Sequence, residues 1–246
     1  MARVETAARL HFGFQNLALA HDRLYGGVGV ALSEPRLVVE TGRDTEVVCD
    51  DAAVEPYVRR VVDTLGVDGA TVAVRERYPR HVGLGSGTQL ALATLLGVAA
   101  DYDRTVDPRE LAPALGRGGR SGVGVAAVES GGFVVDGGHP TERFTAEPPA
   151  EGEWTVPPVI ARHELPADWR FVLVLPEGVT GQSGEAEDRS MRAAVEAADP
   201  GIADDIAGLL TRQLLPAAAE GDRGRFGTAA ARLGRLNGAW YADEQG

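Results

Sequence analysis

The segment PRHVGLGSGTQLALATLLG, residues 79–97, sets Gly83, Gly85 and Gly87 around Ser86, with Thr88 next and an apolar run behind. Glycines let the main chain curl with its amide N–H groups exposed, and the apolar run predicts a buried helix whose positive end faces the loop. Exposed amides, two hydroxyls and a helix N-terminus together make a phosphate site. Other readings compete. A dinucleotide fingerprint needs glycine at the sixth position, directly after a β-branched strand; here Thr88 stands there, and Tyr78, Pro79, Arg80 and His81 come before. A Walker loop needs a lysine, and the bland alternative is that the glycines serve only a tight turn.

Lysine is absent from the chain: all 24 basic residues are arginine. That excludes Schiff-base and pyridoxal phosphate chemistry on a lysine, and leaves amides and guanidinium groups to hold any anion. With 36 acidic residues the formal net charge is −12, which opposes binding to nucleic acid or an anionic membrane. Acidity without lysine suits a halophilic, archaeal-like cytoplasm, although a GC-rich codon bias would produce the same exchange. No apolar run of about 18 residues exists, and MARVETAARLHFG lacks the form of a signal peptide. A soluble, cytoplasmic protein is expected. The lone Cys49 forms no internal disulfide and reads as a small buried residue ending the strand LVVETGRDTEVVC. The five histidines show no paired metal spacing.

The elements that must carry the loop follow from pattern. Residues 8–14 and 28–40 are β-like, and Gly26-Gly27 between them mark a tight turn or close backbone approach. Val58, Val61, Val62 and Leu65 fall at helical spacing over 55–65, with Gly66 as the stop. ATVAVRERYP alternates as a strand, and Asp107, Pro108 and Glu110 start another helix. RSGVGVAAVESGGFVVDGG reads as a glycine-rich turn feeding paired strands. The Pro- and Glu-rich stretch AEPPAEGEWTVPP divides a first lobe, 1–155, from a second, 156–246. The second lobe is predicted to open with the strand WRFVLVLP and to continue as helices over 183–198, 202–220 and 222–236.

Pro79-x-x-x-Gly83-Leu84-Gly85-Ser86 resembles the second motif, P-x-x-x-G-L-G-S-S, of the GHMP kinase superfamily, and Ser121-Gly122-Val123 with Gly131-Gly132 resembles its S-G-V-D...G-G segment. The resemblance implies a two-lobed α/β (α+β) fold, the first lobe ribosomal-protein-domain-like and the second ferredoxin-like and incomplete, with residues 83–88 around phosphates. Gly124 stands where the kinases carry a catalytic aspartate, and Gly87 where they carry a second serine. Within the superfamily, ARLHFGFQNL...RLYGGVGVALSEPRLVVE, HVGLGSGTQLALA and GRSGVGVAAVESGGFVVDGGH together resemble the β-ribofuranosylaminobenzene 5'-phosphate synthase (β-RFAP synthase) family of methanopterin biosynthesis, over roughly the first 140 residues.

That resemblance implies a transferase that condenses phosphoribosyl pyrophosphate with 4-aminobenzoate or 4-hydroxybenzoate, releasing CO2 and pyrophosphate, with Mg²⁺ as cofactor and a homodimeric assembly. Gly83, Leu84, Gly85, Ser86, Gly87 and Thr88 would hold phosphate. Arg9, Gly26, Gly27, Arg120, Ser121 and Gly122 would bind substrate, and Arg23, His11 and Asn16 would serve catalysis. Arg23 also reads as a solvated arginine beside Asp22, and His11 as a structural histidine. Glu129 is the candidate metal ligand, with Asp136 a second. The synthases read G-L-x-D-L early in the chain, whereas Asn16 occupies the acidic place here, and the superfamily's third glycine-rich motif is missing before YADEQG. A GHMP-type small-molecule kinase with a different base is the alternative function; a non-catalytic sugar-phosphate binder is the third.

Overall fold

A computed structural model describes residues 1–80, 82–175 and 185–241 of the chain. Its frame is a long antiparallel ribbon, β1 (Ala2–Asn16) against β2 (Arg23–Asp44), paired from Ala2 opposite Thr41 to Asn16 opposite Tyr25 with register shifts between Ala7 and Arg9 and between His11 and Gly13. Both strands outrun the predicted spans. β1 takes one edge of β2, while β4 (Gly69–Glu76) and β5 (Phe133–Asp136) share the other edge at opposite ends. β3 (Val47–Cys49) runs parallel to β4, β6 (His139–Pro140) pairs with the start of β2, and β7 (Val159–His163) extends the sheet beyond β5. The strand expected through Cys49 is therefore broken. Asp44 turns the chain, its carboxylate accepting the Thr45 amide at 2.8 Å, and Cys49 is only half-buried.

Helix α1 (Glu55–Leu65) keeps its predicted limits, and α2 (Ser86–Asp101) forms where the apolar run behind the loop predicts a buried helix. α1 buries Val58, Val61, Val62 and Leu65 and ends on Gly66 at φ +58°; each such side chain contributes about 1.5–3 kcal/mol by leaving water. α2 is buried on almost every side, as an alanine- and leucine-rich surface requires. α3 (Pro108–Leu111) is capped by Asp107, which accepts the Arg109 amide at 2.8 Å.

The segment 120–138 corrects the sequence reading. Only its second half is a strand, β5; the first half is helix α4 (Val123–Glu129). Val-Gly-Val alternates like a strand, but Gly124 lets α4 close on Thr88 at the start of α2, and packing overrides propensity. Val134 meets Val123 and Ala126 of α4, while Phe133 and Val135 face the opposite side of the sheet.

That opposite side is covered by α5 (Glu185–Ala197), α6 (Pro200–Leu209), α7 (Leu215–Glu220) and α8 (Arg223–Ala239), through Ile206, Leu214, Phe226 and Leu233. The predicted helix over 202–220 is one run with a π-helical turn at Leu210–Leu214, just before Pro216, whose missing N–H interrupts the ordinary ladder. The helix expected over 222–236 begins one residue later, because Asp222 is its N-cap and accepts the Arg225 amide at 3.0 Å. The residues given for the start of the first of these helices, 183–184, lie outside the described residues. Among the described residues no strand follows His163, so the ferredoxin-like sheet has no counterpart there. WRFVLVL is extended but unpaired: Trp169 and Phe171 pack near Phe226 and Phe12, while Val172 and Val174 stay 88% and 84% exposed. Alternation reports which side chains are buried, not whether a neighbouring strand exists.

Candidate active site

Gly83 and Gly85 take φ of +80° and +77°, which side-chain-bearing residues rarely adopt, and Gly85 is the N-cap of α2. The carbonyls of Gly83 and Leu84 are fixed to β1 and to the segment just after β4: Leu84 O accepts the Arg9 amide at 3.1 Å and the Tyr78 hydroxyl at 3.4 Å, and Gly83 O accepts Arg9 Nη1 at 2.7 Å. Thr88 N and Gln89 N donate back to Gly85 O. The N–H groups of residues 84–87 have no main-chain acceptor among the described residues. No acidic side chain occupies the first turn of α2. A helix end left in this state attracts an anion.

Arg9 and His11 stand two residues apart on β1, opposite Ala31 and Gly29 of β2, and Arg9 reaches the loop at Gly83 O. Arg9 Nε and His11 Nε2 are both buried and without a hydrogen-bond partner. Leaving such groups unpaired costs about 1–3 kcal/mol each, so a ligand anion reaching them recovers energy that the free chain forgoes. Burial, reinforced by the Arg9 charge, pulls the His11 imidazole down to about 3, so it is neutral at pH 7. Burial also lowers Arg9, whose guanidinium remains protonated.

Behind this pair three glycine segments meet at one carboxylate. Asp136 accepts Gly122 N at 2.7 Å, Ser121 Oγ at 3.0 Å and Gly138 N at 3.0 Å. A Cβ on Gly27 would collide with Ser121 Oγ, which is why the Gly26-Gly27 pair stands there. Gly27, Ser121 and Gly122 thus brace the site from behind. Gly124 faces the loop: a Cβ there would lie 3.2 Å from Thr88 Cγ2, and Gly124 O accepts Gln89 Nε2 at 2.9 Å.

The remaining predicted residues are spread over two clefts. Arg120 pairs with Glu187 at 2.8 Å and with Asp188, and lines a cleft of about 650 Å³ with Tyr25, Arg117 and Trp154. Asn16, Arg23 and Gly26 line another, of about 470 Å³, with Gln15, His21 and Asp204; Tyr25 borders both. The Asn16 amide is used within the β1–β2 connection: Nδ2 donates to Ala18 O at 2.8 Å and Arg23 O at 2.7 Å, and Oδ1 accepts Ala18 N at 2.7 Å. Arg23 donates to Gly137 O and, at 2.6 Å, to Gly138 O. Glu129, at the far end of α4, makes a two-pronged pair with Arg109 at 3.1 and 2.6 Å. No group of three His, Cys, Asp or Glu side chains suited to a metal ion exists among the described residues. Two residues beside the loop carry no spacing signal in the sequence, Arg117 and Tyr57, which both abut Gly87.

Residues 52–132 match the family described as GHMP kinases N terminal domain. The β-ribofuranosylphenol 5'-phosphate synthase of Methanothermobacter thermautotrophicus is 36% identical, aligning 91% of this chain with 72% of its own length. That of Archaeoglobus fulgidus is 34% identical, aligning 96% of this chain with 76% of its own. The chain belongs to the β-ribofuranosylphenol 5'-phosphate synthase family. Among solved structures, Streptococcus pneumoniae phosphomevalonate kinase superposes with a TM-score of 0.66 over 99% of this chain and 82% of that one, at 13% identity. Methanococcus jannaschii mevalonate kinase gives 0.60 over 97% and 79%, at 12% identity. The chain thus has the GHMP kinase fold, and no carboxylate projects from position 124 toward the loop.

Proposed function

We propose that the chain joins phosphoribosyl pyrophosphate to 4-hydroxybenzoate, or to 4-aminobenzoate, with loss of CO2 and pyrophosphate. The observation that carries this reading is the pair of buried, unpartnered nitrogens, Arg9 Nε against a loop of unpaired amides and His11 Nε2 two residues along the same strand. Family membership supplies the reaction, and the relatives' name, a ribosylated phenol, favours the hydroxybenzoate. In the reaction the bond from ribose C1 to the diphosphate breaks and its electron pair leaves with pyrophosphate. The ring carbon bearing the carboxylate attacks C1, and the electrons of the carbon–carboxylate bond restore aromaticity as CO2 departs. Loop amides and Arg9 hold the leaving group, where preorganised donors act most strongly on developing charge. Neutral His11 adds a hydrogen bond. Asn16, His21, Arg23, Tyr25 and Gly26, which line the neighbouring cleft, would receive the acceptor.

The carboxylates near the loop do not suit a protein-held metal. Glu187 and Asp188 are paired with Arg120, Glu129 with Arg109, and Asp136 is occupied by three donors. Mg²⁺ is proposed to travel with the diphosphate instead. A homodimer and a salt-rich cytoplasm complete the proposal; the lysine-free, acidic composition supports the latter, and no helix among the described residues is long and apolar enough to cross a membrane.

Incubation with phosphoribosyl pyrophosphate, carboxyl-labelled 4-hydroxybenzoate and Mg²⁺ in high salt is expected to release labelled CO2. Failure across salt and metal conditions overturns the reading. Phosphate transfer from ATP to an alcohol would restore the kinase alternative, which Gly124 disfavours; tight sugar-phosphate binding without turnover would indicate the non-catalytic one.

A further inference from the structure

We propose that Arg117 is a second anion-holding residue, gripping the diphosphate at the Gly87 end of the loop while Arg9 serves the Gly83–Gly85 end. The inference deepens the function proposed above and rests on it for the identity of the diphosphate.

Arg117 is held rigidly. Its amide donates to Ala112 O at 2.8 Å and its carbonyl accepts Trp154 Nε1 at 2.9 Å. Its guanidinium lies over the Tyr57 ring, Cζ 5.2 Å from the centroid, and Arg80 approaches the same ring at 5.8 Å while donating to the Tyr57 hydroxyl at 3.2 Å. A ring faces both guanidinium groups favourably, but the two cations repel each other across it. No carboxylate oxygen lies within 4 Å of either among the described residues, although the chain carries 36 acidic side chains. Glu151, which lines the same cleft as Arg117, pairs with Arg60 instead, at 2.5 Å. Arg117 Nε is buried and without a partner.

The position fits a ligand. A Cβ on Gly87 would sit 3.3 Å from Arg117 Nη1 and 3.4 Å from the Tyr57 hydroxyl, so the guanidinium borders Gly87, the last of the four residues whose amides are unpaired. Guanidinium groups at both ends of an amide loop match two linked phosphoryl groups better than one, because each oxyanion then meets its own charged donor.

The test compares inorganic pyrophosphate with ribose 5-phosphate by calorimetry on the full chain at fixed salt. In Arg117→Gln the Kd for pyrophosphate is expected to rise tenfold or more, with ribose 5-phosphate within twofold of the parent and the melting temperature unchanged. Arg117→Lys should fall between, keeping the charge without the fork; it makes the same comparison should the glutamine variant fail to fold. Pyrophosphate binding within twofold of the parent overturns the inference, as does equal weakening of both ligands, which marks a merely structural role. Binding is read without acceptor or turnover. A parent chain that binds pyrophosphate through Arg117 yet releases no CO2 therefore refutes the reaction and leaves this assignment standing.

Discussion

Asp136 takes the main-chain N–H of Gly122 at 2.7 Å, and the same oxygen takes Ser121 Oγ at 3.0 Å. Burial raises the pKa of this carboxyl, and the donors from Gly138, Gly27, Gly122 and Ser121 pull it back. The carboxylate therefore joins the 26–27, 121–122 and 137–138 segments. Asp136→Asn turns an acceptor into a group that presents N–H toward N–H. Stranding two buried donors is expected to cost about 3 kcal/mol. Urea unfolding checks it; a loss below about 1 kcal/mol would show that the three segments hold together by packing alone.

Gly85→Val combined with Ser86→Ala attacks the loop itself. At φ +77° a β-branched side chain is strained by about 1–2 kcal/mol, and its Cβ would lie 3.0 Å from Arg9 Cγ. The loop must move, and with it the amides and the Arg9 nitrogen that define the anion site. Pyrophosphate binding is expected to vanish while circular dichroism stays native. Unchanged affinity would place the anion elsewhere.

Asn16→Asp restores the acidic residue that the synthase resemblance leads one to expect. Here it should harm the protein: two donors to Ala18 O and Arg23 O disappear, and a carboxylate faces two carbonyl oxygens in a buried turn. The expected loss is about 1–3 kcal/mol, read by thermal unfolding. A variant that is both as stable and more active would mean that Asn16 is a lost catalytic acid and not a turn residue.

The glycine loop, α1, α2 and the capped start of α3 were legible because each depends on local chemistry: glycines at positive φ, apolar spacing, and Asp before Pro. α4 was misread because Val-Gly-Val looks the same in a strand and in a helix that needs Gly124 for contact with Thr88. Asp136 could be suspected only as a metal ligand, since its glycine donors come from segments up to about a hundred residues away in the chain. Arg117 was invisible for a related reason. Its role depends on Tyr57 and Gly87, which only the packing of α1 against the loop brings together.

Two buried histidines set an acid limit on stability. Burial, with the Arg9 charge behind it, pulls His11 down to about 3; burial is also the main cause that lowers His139 to about 4, where it stacks on Phe144 at 3.6 Å between centroids. Both titrate near 6.5 once unfolded. Between pH 6.5 and 4 the unfolded chain thus binds more protons than the folded one, so stability present above 6.5 is lost as the pH falls. Each histidine contributes about 1.4 kcal/mol per pH unit at most across that window. Glu5, Glu40 and Asp44, lowered by hydrogen bonds from Arg3, Arg75 and Thr71 respectively, act only at more acid pH, so the windows separate. Unfolding free energies measured at pH 7, 6 and 5 should decline for the parent chain, less steeply for His11→Gln and for His139→Gln, and nearly level for the double variant. A double variant with the parental slope would place the acid sensitivity in other groups and remove the basis for a neutral, anion-facing His11.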